Sequence, residues 1–364
     1  MALFFAQILP GGRHIYDGTA NSQQLHMTTS AIAAHDGSSK SFLNPVGPRT
    51  SYIRMPPGSE LPANVLFAVS FGDRPPIASQ RAIRVNLETL SGADFVEVWY
   101  ANGDVASGVD GAIRFAADDH FLSAVIEVDE REHGGILAAT AFAYRAISRF
   151  QANSRFPHLL RTWNYFDAIN HGAGDSERYR EFCSGRAAGF DGKSQGQFPA
   201  ATVIGRRDGD PRLQVYWLAG QRAGLALENP RQLSAYHYPK RYGQTPPSFS
   251  RAMLVAPHSL MISGTASIVG HASQHADSVA AQVDEILTNL DSLLQSARAQ
   301  APALPAIFGR GSLIKVYLRN RMDLQTVEDR LRALLPDGVS WLVLQGDVCR
   351  ADLLVEFDCV HSAV

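Results

Sequence analysis

A glutamate set inside an apolar run is the first residue of this chain that raises a chemical question. In LLVEFDCV, strand alternation points Leu354, Glu356, Asp358 and Val360 one way and Val355, Phe357 and Cys359 the other. A half-buried carboxyl resists ionisation and suits general acid catalysis, in which a proton donor needs a pKa raised towards neutrality. The same placement suits a salt-bridged structural Glu, because buried charges are usually paired. Upstream, Cys349 lies between Val348 and Arg350, where a free thiol reads as a small buried hydrophobe. Arg161, Arg186 and Arg251 occupy apolar or aromatic contexts in which each can grip a carboxylate bidentately or form a structural ion pair. Tyr165, Tyr238 and Tyr242 can donate phenolic hydrogen bonds to a ligand or serve as half-buried packing. No metal site is expected, since the i, i+4 pair His271 and His275 lacks an acidic third ligand at matching spacing. Gly264 and Gly270 do not form a nucleotide cradle.

The elements that must position these residues recur along the chain. Leu137, Ala141, Tyr144 and Ile147 fall at helical spacing, and Val279, Val283, Ile286, Leu290 and Leu293 do so again later. After the first helix come strand-like 159–166, helical 176–188 and strand-like 200–205 and 213–219. After the second come strand-like 313–318, helical 324–335 and strand-like 339–344 and 353–360. Two such trains predict α+β modules, mixed sheets with helices packed on one face. Before them, 64–71, 95–100 and 121–128 read as strands, and residues 1 to about 60 as an irregular lead-in. Between the copies, ENPRQLSAYHYPKRYGQTPPSFS carries three Tyr, two Arg and four Pro. It is either a Pro-stiffened connection on the surface or a loop lining a site for an anionic ligand. The expected divisions are an N-terminal segment with strands at 1–94, a degenerate module at 95–227, a site-lining connection at 228–249 and a C-terminal module at 250–364.

With 364 residues, the chain is long enough for two or three packed modules. Its 45% hydrophobic content and near balance of 33 Lys plus Arg against 35 Asp plus Glu exclude disorder and argue against a basic nucleic-acid surface. Apolar runs such as 136–143 fall far short of the roughly 18–20 residues of a membrane span. Met1–Pro10 has no basic region before it and no cleavage pattern after it, so export is not expected. Three sparse cysteines, Cys183, Cys349 and Cys359, fit a reducing cytoplasm.

LMISGTASI (Leu260–Ile268), QVDEILTNLDSLL (Gln282–Leu294), LIKVYLRNRMDLQTVEDRL (Leu313–Leu331) and DVCRADLLVEFDCV (Asp347–Val360) resemble the RidA (YjgF) superfamily in order and spacing. The likeness is good over 250–364 and degenerate over 95–220. RTWNYFDAIN (Arg161–Asn170), YREFCSGR (Tyr179–Arg186), FPAATVIG (Phe198–Gly205), ENPRQLSAYHYPKRYG (Glu228–Gly243) and PPSFSRA (Pro246–Ala252) resemble one branch of it, the chorismatases, and within that branch the xanthomonadin-pathway hydroxybenzoate synthase type. The resemblance implies two fused RidA-like modules, an enzyme that needs no cofactor, and a chain able to act as a monomer on the small molecule chorismate, releasing pyruvate and 3-hydroxybenzoate, with 4-hydroxybenzoate as a second product. It implies Glu356 as the acid that protonates the enol ether, Cys349 as the residue by which hydroxybenzoate formers differ from dihydrodiol formers, and Ala266 as a second position tied to product choice. Trp341 stands where ordinary RidA proteins have an Arg for the substrate carboxylate, which disfavours an imine deaminase. A dihydrodiol-forming hydrolase and a non-catalytic binding protein are the other readings.

Overall fold

Stretches rich in Val, Ile, Phe and Tyr build three main sheets in the computed structural model, which describes residues 47–190, 198–255 and 258–363. The readings made on Met1–Pro10 and on the lead-in up to residue 46 lie outside the described residues. The first sheet uses β1 (Arg49–Arg54), β2 (Val65–Phe71), β3 (Ala82–Val85) and β5 (Phe95–Tyr100) in the order β1-β5-β2-β3, while β4 (Thr89–Ser91) leaves it to join the third sheet.

The second sheet comprises β6 (Ala106–Asp110), β7 (Ile113–Ala117), β8 (Phe121–Asp129), β9 (His158–Asp167), β10 (Ala200–Arg206) and β11 (Arg212–Gly220), in the order β10-β9-β11-β8-β7-β6. A short helix α1 (Glu130–His133) and the long α2 (Ile136–Ala152) follow β8, and α3 (Arg178–Gly189) follows β9. The third sheet begins with β12 (Leu225–Leu227), β13 (Ala252–Val255) and β14 (Ser259–Ala266). A small hairpin of β15 (Ile268–Val269) and β16 (Ala272–Ser273) leads to α4 (Val279–Gln300), then β17 (Ser312–Leu318), α5 (Leu324–Leu334), β18 (Ser340–Gln345) and β19 (Val355–Ser362). Its order is β12-β13-β14-β19-β17-β18-β4. Strand for strand, this repeats the second sheet, including the single parallel pair, β9–β10 in one and β17–β18 in the other.

The two-module α+β architecture is therefore what the chain builds. The first sheet adds a third, helix-free copy. Read as β3-β2-β5-β1, it has the order and directions of β10-β9-β11-β8, again with one parallel pair, β2–β3. Sheet membership also shifts two expected boundaries. Phe95–Tyr100 pairs with the N-terminal strands, so the first module starts at β6, and β12 pairs with β13, so it opens the second module. Short apolar runs announce a strand but not the neighbour whose hydrogen bonds it will take.

Each module buries one sheet face under its helices. Ile136, Ala139, Ala143 and Ile147 of α2 pack with Phe166 and Phe182, and Val283, Ile286, Leu290 and Leu293 of α4 pack with Val316 and Phe357. The inward stripe of α2 is one residue off the expected set: Leu137 is exposed and Ile136 takes its place. Helices α2 and α3 touch through Gly185 and Gly189, where a Cβ would stand 2.2 Å from the Leu137 carbonyl oxygen and 2.4 Å from the Tyr144 Cβ. The opposite sheet faces meet in one common core that takes Phe67 and Val69 from the first sheet, Trp163 and Tyr216 from the second, and Met261 and Tyr317 from the third.

Inside that core lies a closed set of buried charges. Lys315 Nζ pairs with Glu97 Oε2 at 2.8 Å, donates to the Tyr216 hydroxyl at 3.1 Å and lies 3.7 Å from Asp358 Oδ1. Asp358 Oδ2 accepts from Trp163 Nε1, Tyr317 and Thr202, and Arg161 Nη2 stands 3.5 Å away. Burial alone would pull the Lys315 ammonium down, but Asp358 and Glu97 hold it above its ordinary value. Removing one member of such a set leaves its partner buried and uncompensated. Lys315→Ala should therefore cost about 3–5 kcal/mol of stability, read as a lower urea midpoint. An unchanged midpoint would show that these charges do not hold the sheets together.

Candidate active site

A pocket opens where the edge strand β10 runs along the second module. Ala200 bridges to Ser250, the Ala201 amide donates to Ser263 Oγ at 2.9 Å, and Gly205 and Asp347 exchange backbone hydrogen bonds. Ala201 and Val203 form one wall and β14 and β19 another, with the start of α3 and residues 238–251 closing the remaining sides. The connection between modules is thus a lining loop, fastened by Leu233 and Gly270 through backbone hydrogen bonds.

Glu356 lies in this wall. Its residue is 5% exposed, and among the described residues its carboxyl is neither hydrogen-bonded nor ion-paired. Burial and then the nearby Asp358 carboxylate push its pKa up to about 8, against the opposing pull of Arg161 and Arg251. Charge accounting explains why it stays protonated. Glu97 and Asp358 are ion-paired with Lys315 and Arg161, whereas Glu356 has no cation within ion-pair distance among the described residues, so burial and the field of Asp358 outweigh the weaker pull of Arg161 and Arg251.

Space for this carboxyl comes from a β-bulge. Between Ile262 and Thr265 the register against β19 shifts, placing Ser263 and Gly264 opposite the single residue Asp358. A Cβ on Gly264 would stand 2.0 Å from Glu356 Oε1. Opposite Glu356 in the ladder is Ala266, whose methyl group packs with Val348, Leu353 and Cys349. Burial pushes the Cys349 thiol up to about 12, with Glu356 adding to the shift, so it is a neutral thiol in an apolar wall.

Cations and phenols line the facing side. Arg251 is buried, and its Nη2 donates to the Tyr238 hydroxyl and the Leu233 carbonyl, both at 2.8 Å. Its guanidinium lies 5.2 Å from the Phe249 ring and 5.6 Å from that of Tyr238. Arg350 stacks on Tyr242 at 4.0 Å and reaches Tyr238 at 5.2 Å, while its Nη1 donates to the His271 carbonyl at 2.9 Å. The stack fixes both guanidinium planes before any ligand arrives.

Six of the residues singled out from sequence thus line one pocket: Glu356, Cys349, Tyr238, Tyr242, Arg251 and Ala266. Three do not, and the expectation of ligand contact is corrected for them. Arg161 points from β9 into the buried charge set, Tyr165 shares a hydroxyl contact of 3.0 Å with Tyr317 in the common core, and Arg186 lies under the second sheet against Tyr144, Phe190 and Thr162. Aromatic context marked all three as buried without saying on which side of a sheet. Tyr179, Arg180, Phe249 and Arg350 also line the pocket and were not selected. Arg350, beside Cys349, was the one with a readable signal. His271 and His275 precede α4 and are not on it; His271 Nδ1 meets Tyr242 at 3.2 Å and His275 Nε2 meets Glu285 at 3.5 Å. Among the described residues no helix is long and apolar enough to cross a membrane.

Residues 97–219 match the family described as chorismatase FkbO/Hyg5-like, N-terminal. A chorismatase of Streptomyces hygroscopicus is 36% identical over 282 residues, covering 75% of this chain and 81% of the relative. A 3-hydroxybenzoate synthase of Streptomyces hygroscopicus is 33% identical over 291 residues, covering 76% and 84%. A crystal structure of a chorismatase superposes with a TM-score of 0.77 at 32% identity, covering 87% of this chain and 98% of that one.

The raised pKa of Glu356 has a consequence for stability. The unfolded chain releases this proton near an ordinary glutamate pKa, whereas the folded chain holds it to about 8. Between those values the folded state binds more protons, so its stability falls as pH rises. Glu356→Gln cannot ionise and escapes that loss. Urea unfolding at about pH 5 and about pH 8 should show the variant gaining on the wild type by a few kcal/mol at the higher pH. Parallel pH dependences would mean that Glu356 titrates normally.

Proposed function

The chain belongs to the chorismatase family, and from that membership and the pocket geometry we propose that it cleaves chorismate to pyruvate and 3-hydroxybenzoate, with 4-hydroxybenzoate as a second product and Glu356 as the general acid. The observation that carries this reading is the buried, unpaired and protonated Glu356 facing stacked arginines across one pocket. Chorismate has a ring carboxylate and an enolpyruvyl ether with a second carboxylate. Arg251 and Arg350 supply cations of the kind that such a dianion requires, with Tyr238 and Tyr242 beside them as hydroxyl partners.

In the proposed reaction Glu356 gives its proton to the enol-ether methylene, producing an oxocarbenium ion. Breaking the bond from the ring to the ether oxygen then lets that oxygen leave as the ketone of pyruvate, and positive charge develops on the ring. The ionised Glu356 carboxylate is left beside that charge, with Asp358 behind it. Loss of the proton on the hydroxyl-bearing carbon would give 4-hydroxybenzoate directly; for 3-hydroxybenzoate that hydroxyl oxygen first closes onto the cationic ring carbon as an epoxide, its O–H proton going to Glu356 or to solvent. The epoxide then reopens with a proton returned to its oxygen, leaving the hydroxyl on the neighbouring carbon, whose ring proton is lost to complete the aromatic acid. Conversion to hydroxybenzoate plus pyruvate takes up no water overall, whereas the dihydrodiol route consumes one.

Cys349 and Ala266 support the first route. A neutral thiol and a methyl group packed with Val348 and Leu353 offer water no strong hydrogen-bonding position next to the ring. The three sheets meet in one core within a single chain, which supports a monomer. Three free cysteines support a reducing cytoplasm.

Incubation with chorismate should release pyruvate, followed in a coupled assay, together with 3-hydroxybenzoate resolved by chromatography; no pyruvate above the uncatalysed background would discard the reading. Glu356→Gln should lower kcat by at least about a hundredfold while keeping the fold. Since the acid form is the active one, kcat should fall as pH rises past about 8. Gly264→Ala, which displaces the mobile end of a side chain and not the backbone, should reduce kcat more than stability. Cys349→Ala should shift product towards the dihydrodiol, and an unchanged product profile would reduce Cys349 to packing.

A further inference from the structure

The strand order that makes the modules alike also makes the seams between sheets alike. At the seam already described, edge strand β10 of one sheet meets the β14–β19 pair of the next. The corresponding strands elsewhere are β3, the edge of the N-terminal sheet, and the β8–β11 pair of the first module. A second cavity lies there, lined among others by Arg84, Arg114, Glu127, Arg206 and Gln214. The edge of β18, where the third seam would begin, is instead covered by β4.

Register extends the correspondence to single residues. Glu356 pairs with Ala266 on one side and Tyr317 on the other; Gln214 pairs with Glu127 and Tyr165. Gln214 therefore occupies the position of the proposed acid, and Glu127 the position of Ala266. A glutamine cannot donate a catalytic proton. Its Nε2 instead donates to Glu127 Oε1 at 2.8 Å, and Arg114 Nη2 holds the other Glu127 oxygen at 3.3 Å.

The remaining charges leave a cation over. Asp210 lies 2.6 Å from Arg212 and 3.7 Å from buried Arg206, which also stands 3.5 Å from Asp208. Arg84, at the mouth, has no acidic partner among the described residues; its Nη1 reaches only the Arg74 carbonyl at 3.4 Å. Around it the cavity presents more guanidinium than carboxylate.

We propose that this second seam is a non-catalytic binding site for a compact oxyanion, a carboxylate or a phosphate, with Arg84 and Arg114 as its cations. The full-length protein should be titrated calorimetrically with malonate and with inorganic phosphate. Saturable binding of either supports the proposal, and which of the two binds identifies the oxyanion. Arg84→Gln and Arg114→Gln should each weaken it about tenfold or more, Arg251→Gln should leave it intact, and Arg84→Gln should release pyruvate from chorismate at the wild-type rate. The exposed Arg84 makes one long hydrogen bond, so its replacement should not disturb folding. Absence of binding by both probes, or binding lost with Arg251→Gln and indifferent to Arg84→Gln and Arg114→Gln, would overturn the site.

Discussion

The three sheets of this protein are arranged around four buried charges. Glu97 comes from the N-terminal sheet, Arg161 from the first module, and Lys315 and Asp358 from the second, so the ion set forms only when all three sheets are in place. A buried ion set is a weak source of net stability but a strong penalty on wrong assemblies, because any misplaced sheet strands a charge in the core. Tyr317, Trp163 and Thr202 complete it by donating to Oδ2 of Asp358.

The chemistry at the surface of that core follows from its charge balance. Glu356 takes the cost of burial and the field of Asp358, and Arg161 and Arg251 offset only part of the shift. The bulge at Ser263–Gly264 then gives its carboxyl room to face the pocket, and stacking on Tyr238 and Tyr242 holds the guanidinium groups of buried Arg251 and half-buried Arg350 in place. Fold stability and the protonation of Glu356 are thereby coupled: Asp358, which helps hold the sheets, also raises the Glu356 pKa.

Three copies of one strand order in a single chain allow each seam to diverge. One has an acid, a thiol and stacked arginines; one has Gln214 and Glu127 at the corresponding ladder positions; one is covered at its edge by β4. A homotrimer repeats the same side chains at every seam, whereas fusion frees each interface to take its own residues.

Much of this was readable along the chain. Helical spacing at Val279–Leu293 and the repeated trains of strands announced the two modules, because burial of a helix face imposes a period that survives substitution. The N-terminal copy was invisible as a copy: it has no helix, and its strands carry no period longer than their own alternation. Glu356 was legible because a carboxyl inside LLVEFDCV needs an explanation, and Tyr238, Tyr242 and Arg251 because an aromatic, Pro-rich connection is unusual as mere linker. Arg161, Arg186 and Tyr165 looked equally suitable, yet a sheet has two faces, and a strand's own alternation does not tell which face meets a pocket. The sequence by itself determined the repeat, the strands and the half-buried acid, since these depend on local periodicity and residue chemistry. Only the tertiary structure decided which arginine serves the core and which the pocket, since that depends on which strand edge meets which sheet across hundreds of residues.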